Sequence, residues 1–389
     1  MYSLFDKIGQ CDIMNIQKRL PVCPPVSFGP GGFLIFGGNY MADKEYKTHR
    51  QLLTILRNRG MVIGKGSQGS RVMRILEKEN YYNVINGYKD LFLHPTSTMT
   101  DLYKAGTTFN EVHALYEFDR EVRHIYLKYL LKVENSFKTV LAHEFSRLYN
   151  HDNYLKLQNF HTGPSPDHKV LQRIANISKL NMKTDMARIQ HLSSEENIGA
   201  VIKLIGDIQQ EIARQMSKHH QVVNHYMSEY GYIPLWVLVN VLTFGKITTF
   251  YKLMKPTDKM TVAKKFGIAS DELHKYMDMC SLARNKCAHD ERFFDIKFRR
   301  SLHAKSIAKL SVLSLPRDAS SSYIAGTNDA YAIAIIFAML LSKTDTKEFV
   351  SAMKSAFGKL AKELHTISVD DVMKIMGYSS SWTNLPNLK

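Results

Sequence analysis

Residues 115–149, LYEFDREVRHIYLKYLLKVENSFKTVLAHEFSRLY, constrain the fold more than any other stretch of the chain. Leu115, Phe118, Val122, Ile125, Tyr126, Tyr129, Leu130 and Val133 recur at i, i+3, i+4 and i+7. That spacing is one long amphipathic helix, with cationic positions on its other side. A second helix reads over MADKEYKTHRQLLTILRNRG, residues 41–60, with Leu52, Leu53 and Leu56 inward and Gly60 as its stop. Helical spacing also fits 70–88, 168–180, 196–218, 234–254, 271–289, 329–342 and 346–365. The segment GPSPD at 163–167 interrupts the pattern as a loop or linker. Nothing alternates with period two over several strands, so the fold class is all-α.

Charge is the unusual part of the composition. Hydrophobic residues make up 44% and charged residues 23%, as in ordinary soluble proteins, but 52 Lys and Arg stand against 36 Asp and Glu. A net charge of +16 points to a polyanionic partner, nucleic acid first and an anionic membrane surface second. No basic segment followed by an apolar one opens the chain, and AYAIAIIFAMLL at 330–341 is too short to span a bilayer. It reads as a buried core helix, and the protein as cytoplasmic with no membrane partner. Cys11, Cys23, Cys280 and Cys287 form no CxxC pair, which fits reduced thiols better than disulfides. Cys280, Cys287 and His289 lack a fourth ligand at a zinc spacing, so neither metal nor cofactor is expected. Residues 1–40, with CPPVSFGPGGFLIFGG, show no helical period and read as an irregular arm.

Several motifs are weak. GKGSQG at 64–69 matches G-x-G-x-x-G, but no βαβ unit surrounds it and no Lys-Ser/Thr ends it. A turn that touches RNA phosphates is the better reading. Arg214 followed by His219 and His220 fits a loose Arg-to-His spacing and reads as a solvated helix end. The tyrosines of NYYNVINGY, residues 80–88, have the chemistry to stack on bases, although aromatics at helical spacing usually lie in a core.

The stretch SLARNKCAHDERFF, residues 281–294, carries the strongest chemistry. On a helix Asn285 and His289 share a face, and Arg284 is rotated to one side with a side chain long enough to reach the same place. Imidazole both takes and gives a proton near neutral pH. Guanidinium holds a phosphate bidentately and stabilises charge growing on its oxygens. Asn orients either group. Together they suit phosphodiester cleavage by an internal 2′-OH. The competing reading is structural: Arg284 pairs with a carboxylate, and His289 ends a helix at its negative pole, where a cation is favoured.

At this point the chain resembles the abortive-infection proteins of the AbiD/AbiF type, within the HEPN superfamily. The superfamily's mark is Arg, a polar residue, three more residues and His, which is Arg284-Asn285-Lys286-Cys287-Ala288-His289 here. HRQLLTILRNRGMVI is similar to the family's opening helix, NYYNVINGY to its NYYRLSGY block, and LYEFDREVRHIYLKYLLKVENSFKT to its FDR-containing block. IPLWVLVNVLTFGKITTFY resembles its PxWMxxExLTFG segment, and MGYSSSWTNLPNL its usual ending. The likeness runs in order from about residue 47 to the C-terminus. Asp290, Asn240 and Lys138 depart from the usual His, Glu and Arg, and residues 1–40 have no counterpart.

The resemblance implies a HEPN-type helical bundle with additional N-terminal helices: an arm at 1–40, a helical region at 41–110, and a HEPN-like domain at 111–389. It implies a metal-independent endoribonuclease of phage defence, leaving a 2′,3′-cyclic phosphate (or 3′-phosphate) and a 5′-OH. His289 would be the general acid or base, Arg284 the phosphate clamp and Asn285 the positioning group. Arg120, Arg123, Lys286 and Arg292 are candidates for RNA backbone contacts. A small structured noncoding RNA enters as a partner, and a non-catalytic RNA-binding protein is the alternative. Acid–base cleavage works best with two proton carriers, whereas one motif supplies a single His. Two copies across a twofold axis would bring two sets to one cleft, so a homodimer with a composite site is expected.

Overall fold

The computed structural model describes residues 45–95, 101–302 and 311–388. The chain divides into two units, Met1–Thr48 and His49–Lys389. Of the first, only residues 45–48 are described, so the arm expected at 1–40 lies outside the described residues. In the second unit every regular element among the described residues is helical, and β pairing is confined to isolated bridges such as Val62 with Thr108. The all-α reading therefore holds. No helix among the described residues is long and apolar enough to cross a membrane.

Thirteen α-helices are named here in chain order. They are α1 (His49–Asn58), α2 (Ser67–Lys78), α3 (Phe109–Tyr149), α4 (His168–Ser178), α5 (Met186–Ser217), α6 (Gln221–Tyr230) and α7 (Leu235–Leu238). There follow α8 (Phe244–Leu253), α9 (Pro256–Phe266), α10 (Ser270–Ala288), α11 (Ala330–Leu340), α12 (Lys343–Glu363) and α13 (Val369–Ile375).

The spine is α3, 41 residues long. It starts six residues before the periodic stripe because Thr108 and Glu111 form a capping box, in which the Thr108 hydroxyl accepts the Glu111 N–H. Its stripe packs against α10, α12, α9 and α11. Residues 330–338 of α11 are all buried, as the unbroken apolar run requires. Tyr126 sits among Phe293, Phe337 and Phe349 at ring-centroid distances of 4.8, 5.7 and 5.2 Å, and its hydroxyl donates to the Ala330 carbonyl. Truncating a fully buried ring such as Phe337 to alanine would cost about 3–5 kcal/mol. Leu53 and Leu56 of the N-terminal helical region belong to the same core cluster as α3 and α10.

Two expected helices are broken. The 70–88 helix stops at Lys78, and Tyr82–Asn86 forms one π-helical turn before Tyr88. The 234–254 helix divides at Thr243, whose hydroxyl accepts the Lys246 N–H and starts α8 afresh. Apolar residues run on through Val239, Val241 and Leu242, so periodicity alone gives no sign of the break.

Candidate functional site

The motif helix α10 ends where the sequence places its histidine. The His289 N–H closes the last turn on the Asn285 carbonyl at 3.0 Å, and the Glu291 N–H reaches back to the Lys286 carbonyl at 3.1 Å. Between them Asp290 takes a left-handed conformation with φ 57°, which a short polar side chain tolerates better than most. The chain after this turn is tied to α3. Asp119, fully buried, accepts hydrogen bonds from the Phe293 and Phe294 N–H groups (3.0 and 2.7 Å), the Tyr88 hydroxyl (2.6 Å) and Arg123 (2.6 Å). Burial pushes the Asp119 carboxyl up, while Arg123 and the other donors oppose that shift. The other arm of Arg123 reaches Asp290, so one guanidinium spans the helix and the turn.

Arg284 is fixed from the same helix. Its Nε donates to Glu134 Oε2 at 3.1 Å, and its Nη1 to Asn285 Oδ1 at 3.2 Å. No other hydrogen bond engages this guanidinium among the described residues. Glu134 is buried and shared: Oε1 meets Lys138 Nζ at 2.8 Å, and Lys138 also donates to the Leu242 carbonyl. Lys138, where the related block carries Arg, thus ties Glu134 to the segment before α8. Asn285 and His289 are exposed, and the imidazole has no partner among the described residues. Leu282 shares their face at helical spacing and is 51% exposed.

The structure thus brings Arg284, Asn285 and His289 to one helix end. The structural alternative is also partly realised, since Arg284 does pair with a carboxylate and His289 does end the helix. Both roles leave the imidazole free, along with three further guanidinium N–H groups. Of the four backbone-contact candidates, Arg123 is 2% exposed and committed to Asp119 and Asp290, so the surface phosphate contact expected of it finds no exposed guanidinium. Arg120 grips Glu79 with both arms at 3.2 and 3.0 Å, and also Glu117. Lys286 pairs with Glu291 at 2.7 Å, and Arg292 with Asp295 at 2.7 Å. All four are held in ion pairs. Burial pushes the Cys280 and Cys287 thiols well up, and both side chains lie in the core while His289 faces solvent.

The other motifs have local explanations. Gly66, φ 69°, precedes α2, and Arg57 holds the Gly64 turn through the Ile63 and Gly64 carbonyls. His220 caps α6 by accepting the Val223 N–H. Tyr88 lies in the core, whereas Tyr82 is 64% exposed.

Asp119 and Glu134 were not among the expected site residues. The available signal was charge inside the apolar stripe of α3, where an unpaired carboxylate would be too costly to bury.

The segments that meet at this helix end are far apart in sequence: Tyr88, residues 119–134 of α3, the Leu242 turn and α10. No curated protein and no solved structure matches the chain. The family model for Abi-like protein matches residues 74–295, which include all of those segments and more than half of the chain. On that match, the chain belongs to the Abi-like protein family.

Proposed function

We propose that this protein is an AbiD/AbiF-type HEPN endoribonuclease acting in abortive infection, the phage defence after which its family is named. The observation that carries the reading is the end of α10: an exposed, unengaged imidazole one turn from an exposed carboxamide, beside a guanidinium oriented by Glu134. In the reaction, His289 removes the proton of an RNA 2′-OH. The 2′-oxygen bonds to the adjacent phosphorus, and the bond to the 5′-oxygen breaks with that oxygen taking up a proton. A 2′,3′-cyclic phosphate and a 5′-OH result. The free N–H groups of Arg284 stabilise charge on the non-bridging oxygens, and Asn285 positions the Arg284 guanidinium. No step in this scheme needs a metal.

One histidine serves as base or acid, so the second proton carrier is His289 of a second copy in a twofold dimer. Leu282 and Leu131, 51% and 48% exposed, supply apolar surface of the kind that interfaces cover. A second reading, a non-catalytic RNA-binding protein holding a small structured noncoding RNA, draws support from the engagement of Arg284 by Glu134.

The test incubates purified wild type and Arg284→Ala/His289→Ala protein with copurified RNA, with and without EDTA, and maps the ends. Cyclic phosphate ends from wild type alone, insensitive to EDTA, are expected. Binding by both proteins without cutting would favour the second reading, and loss of cutting in EDTA would overturn the metal-free scheme.

A further inference from the structure

Beyond the motif, the C-terminal part of α3 carries a second feature with nucleic-acid chemistry. The chain has two tryptophans. Trp382 is buried at 6% exposure, but Trp236 is 51% exposed and lines a groove of about 410 Å³ with Thr139, Ser146, Arg147 and Asn240. About half of this indole is therefore open to an incoming ring. The polar lining is underused. Ser146 Oγ is buried without a hydrogen-bond partner, and the Asn240 carboxamide makes one long contact, 3.4 Å, to the Trp236 carbonyl.

Charge at the rim has a definite layering. Arg147 and Lys265 are 53% and 56% exposed, and both pair with Glu144, whose side chain is only 3% exposed. His143, 71% exposed, lies against the same carboxylate. The anion is therefore underneath and the cations on top, so an approaching polyanion meets positive charge. Aromatic surface continues past the groove. The Leu235 N–H is bonded to the His151 carbonyl, His151 stacks on Tyr232 at 4.6 Å, and Tyr232, Tyr230 and Tyr226 follow at 6.4 and 5.6 Å.

We propose that the Trp236 groove is a base-stacking subsite for single-stranded RNA. One unpaired base lies on the indole, Asn240 meets its polar edge, and Arg147 and His143 take the flanking phosphates. This chemistry selects single strands, because base faces in an A-form duplex are already stacked and out of reach. The groove lies on the same helix as Glu134, which anchors Arg284. Thr139 to Ser146 are about 8–18 Å further along at 1.5 Å per residue, a distance a few nucleotides can cover. The inference rests on the RNA reading above and does not depend on cleavage.

The test uses the full chain carrying His289→Ala, titrated with a short oligoadenylate and, separately, a duplex of equal length. Because Trp382 is buried, quenching of tryptophan emission by the oligonucleotide reports Trp236. Quenching is expected, and Trp236→Ala should weaken single-strand binding about 5- to 150-fold, the usual range for one stacked base, with duplex binding unchanged. Trp236→Phe, which keeps a ring, should retain most of the affinity. Single-strand affinity unchanged in Trp236→Ala overturns the proposal. So does an unchanged affinity with altered oligomeric mass, which would make the groove a protein interface. Quenching in a protein whose His289-intact form cuts nothing supports the subsite and removes the nuclease reading alone. If no RNA binds to either form, both fall.

Discussion

On the proposed nuclease reading, replacing Glu134 by Gln separates two roles that a carboxylate behind a phosphate clamp can play. If Glu134 merely neutralises Arg284, removing its charge strengthens phosphate binding and speeds cleavage. If it positions Arg284, cleavage slows while RNA affinity holds or rises, because the site gains one positive charge. The structure favours positioning: a buried carboxylate meets Arg284 Nε at 3.1 Å and Lys138 Nζ at 2.8 Å. Gln keeps the shape, but its single oxygen accepts from only one of the two cations and its NH2 faces the other donor to donor, a combined loss of about 2 kcal/mol. A unit of this size has an unfolding entropy of about 0.7 kcal/mol/K, so a total of about 2 kcal/mol lowers Tm by about 3 °C. A misplacement of about 1 Å in a clamp costs about 100-fold, and a 10- to 100-fold fall in single-turnover cleavage is expected. Cleavage rate, RNA affinity and Tm measured on one preparation decide the matter. Wild-type or faster cutting by Glu134→Gln would refute the positioning argument.

Four further substitutions test titratable groups in or beside the core. Glu111, fully buried, accepts from the His365 and Thr366 N–H groups at 2.7 Å each and from Thr108; burial opposes ionisation, yet these bonds hold its carboxyl below the ordinary range. Glu111→Gln should cost about 2–4 kcal/mol in urea unfolding at pH 7, and the gap should narrow as pH falls through the acid range, where the wild-type carboxyl protonates. Burial lowers His274 to about 4, against a smaller opposing effect of Asp278. The neutral ring therefore adds stability that is complete above its unfolded pKa and is lost as pH falls from about 6.5 toward 4, at up to about 1.4 kcal/mol per pH unit; His274→Asn should flatten that limb. Asp119→Asn should cost about 3–5 kcal/mol, because it strands buried Arg123, whereas Asp290→Asn, whose side chain is 61% exposed, should cost under about 1 kcal/mol by thermal unfolding.

How far the sequence reveals this molecule depends on which signal each part carries. Long apolar periodicity is unambiguous, so α3, α10 and the buried α11 are legible within a few residues. Breaks made by single side chains are not, and Thr243 hides inside an apolar run that would suit one helix or two. The helix Pro256–Phe266 is not legible although Pro256 stands at its first position, because its hydrophobic pattern is weak. In the site, Arg284, Asn285 and His289 were visible as residue types at helical spacing. Glu134 was not, since its partner lies 150 positions away and only the packing of α3 on α10 brings them together.

Four of the five buried charges of α3 hold residues beyond position 280 of the chain. Glu111 binds the chain at His365 and Thr366, Asp119 binds it at Phe293 and Phe294, Arg123 reaches Asp290, and Glu134 reaches Arg284. Each makes a contact that fixes a distant segment. Replacing such pairs by apolar residues of similar size is often neutral or stabilising, so stability alone does not explain four of them on one helix. Apolar packing would, however, let the end of α10 slide and fray, as helix ends do. Hydrogen bonds to particular N–H groups of Phe293 and Phe294, and an ion pair to one nitrogen of Arg284, do not permit sliding. Three of the four anchors converge within eleven residues of chain, between Arg284 and Phe294, and His289 lies in the middle of that span. The site's precision therefore resides in α3 more than in the helix that carries the motif.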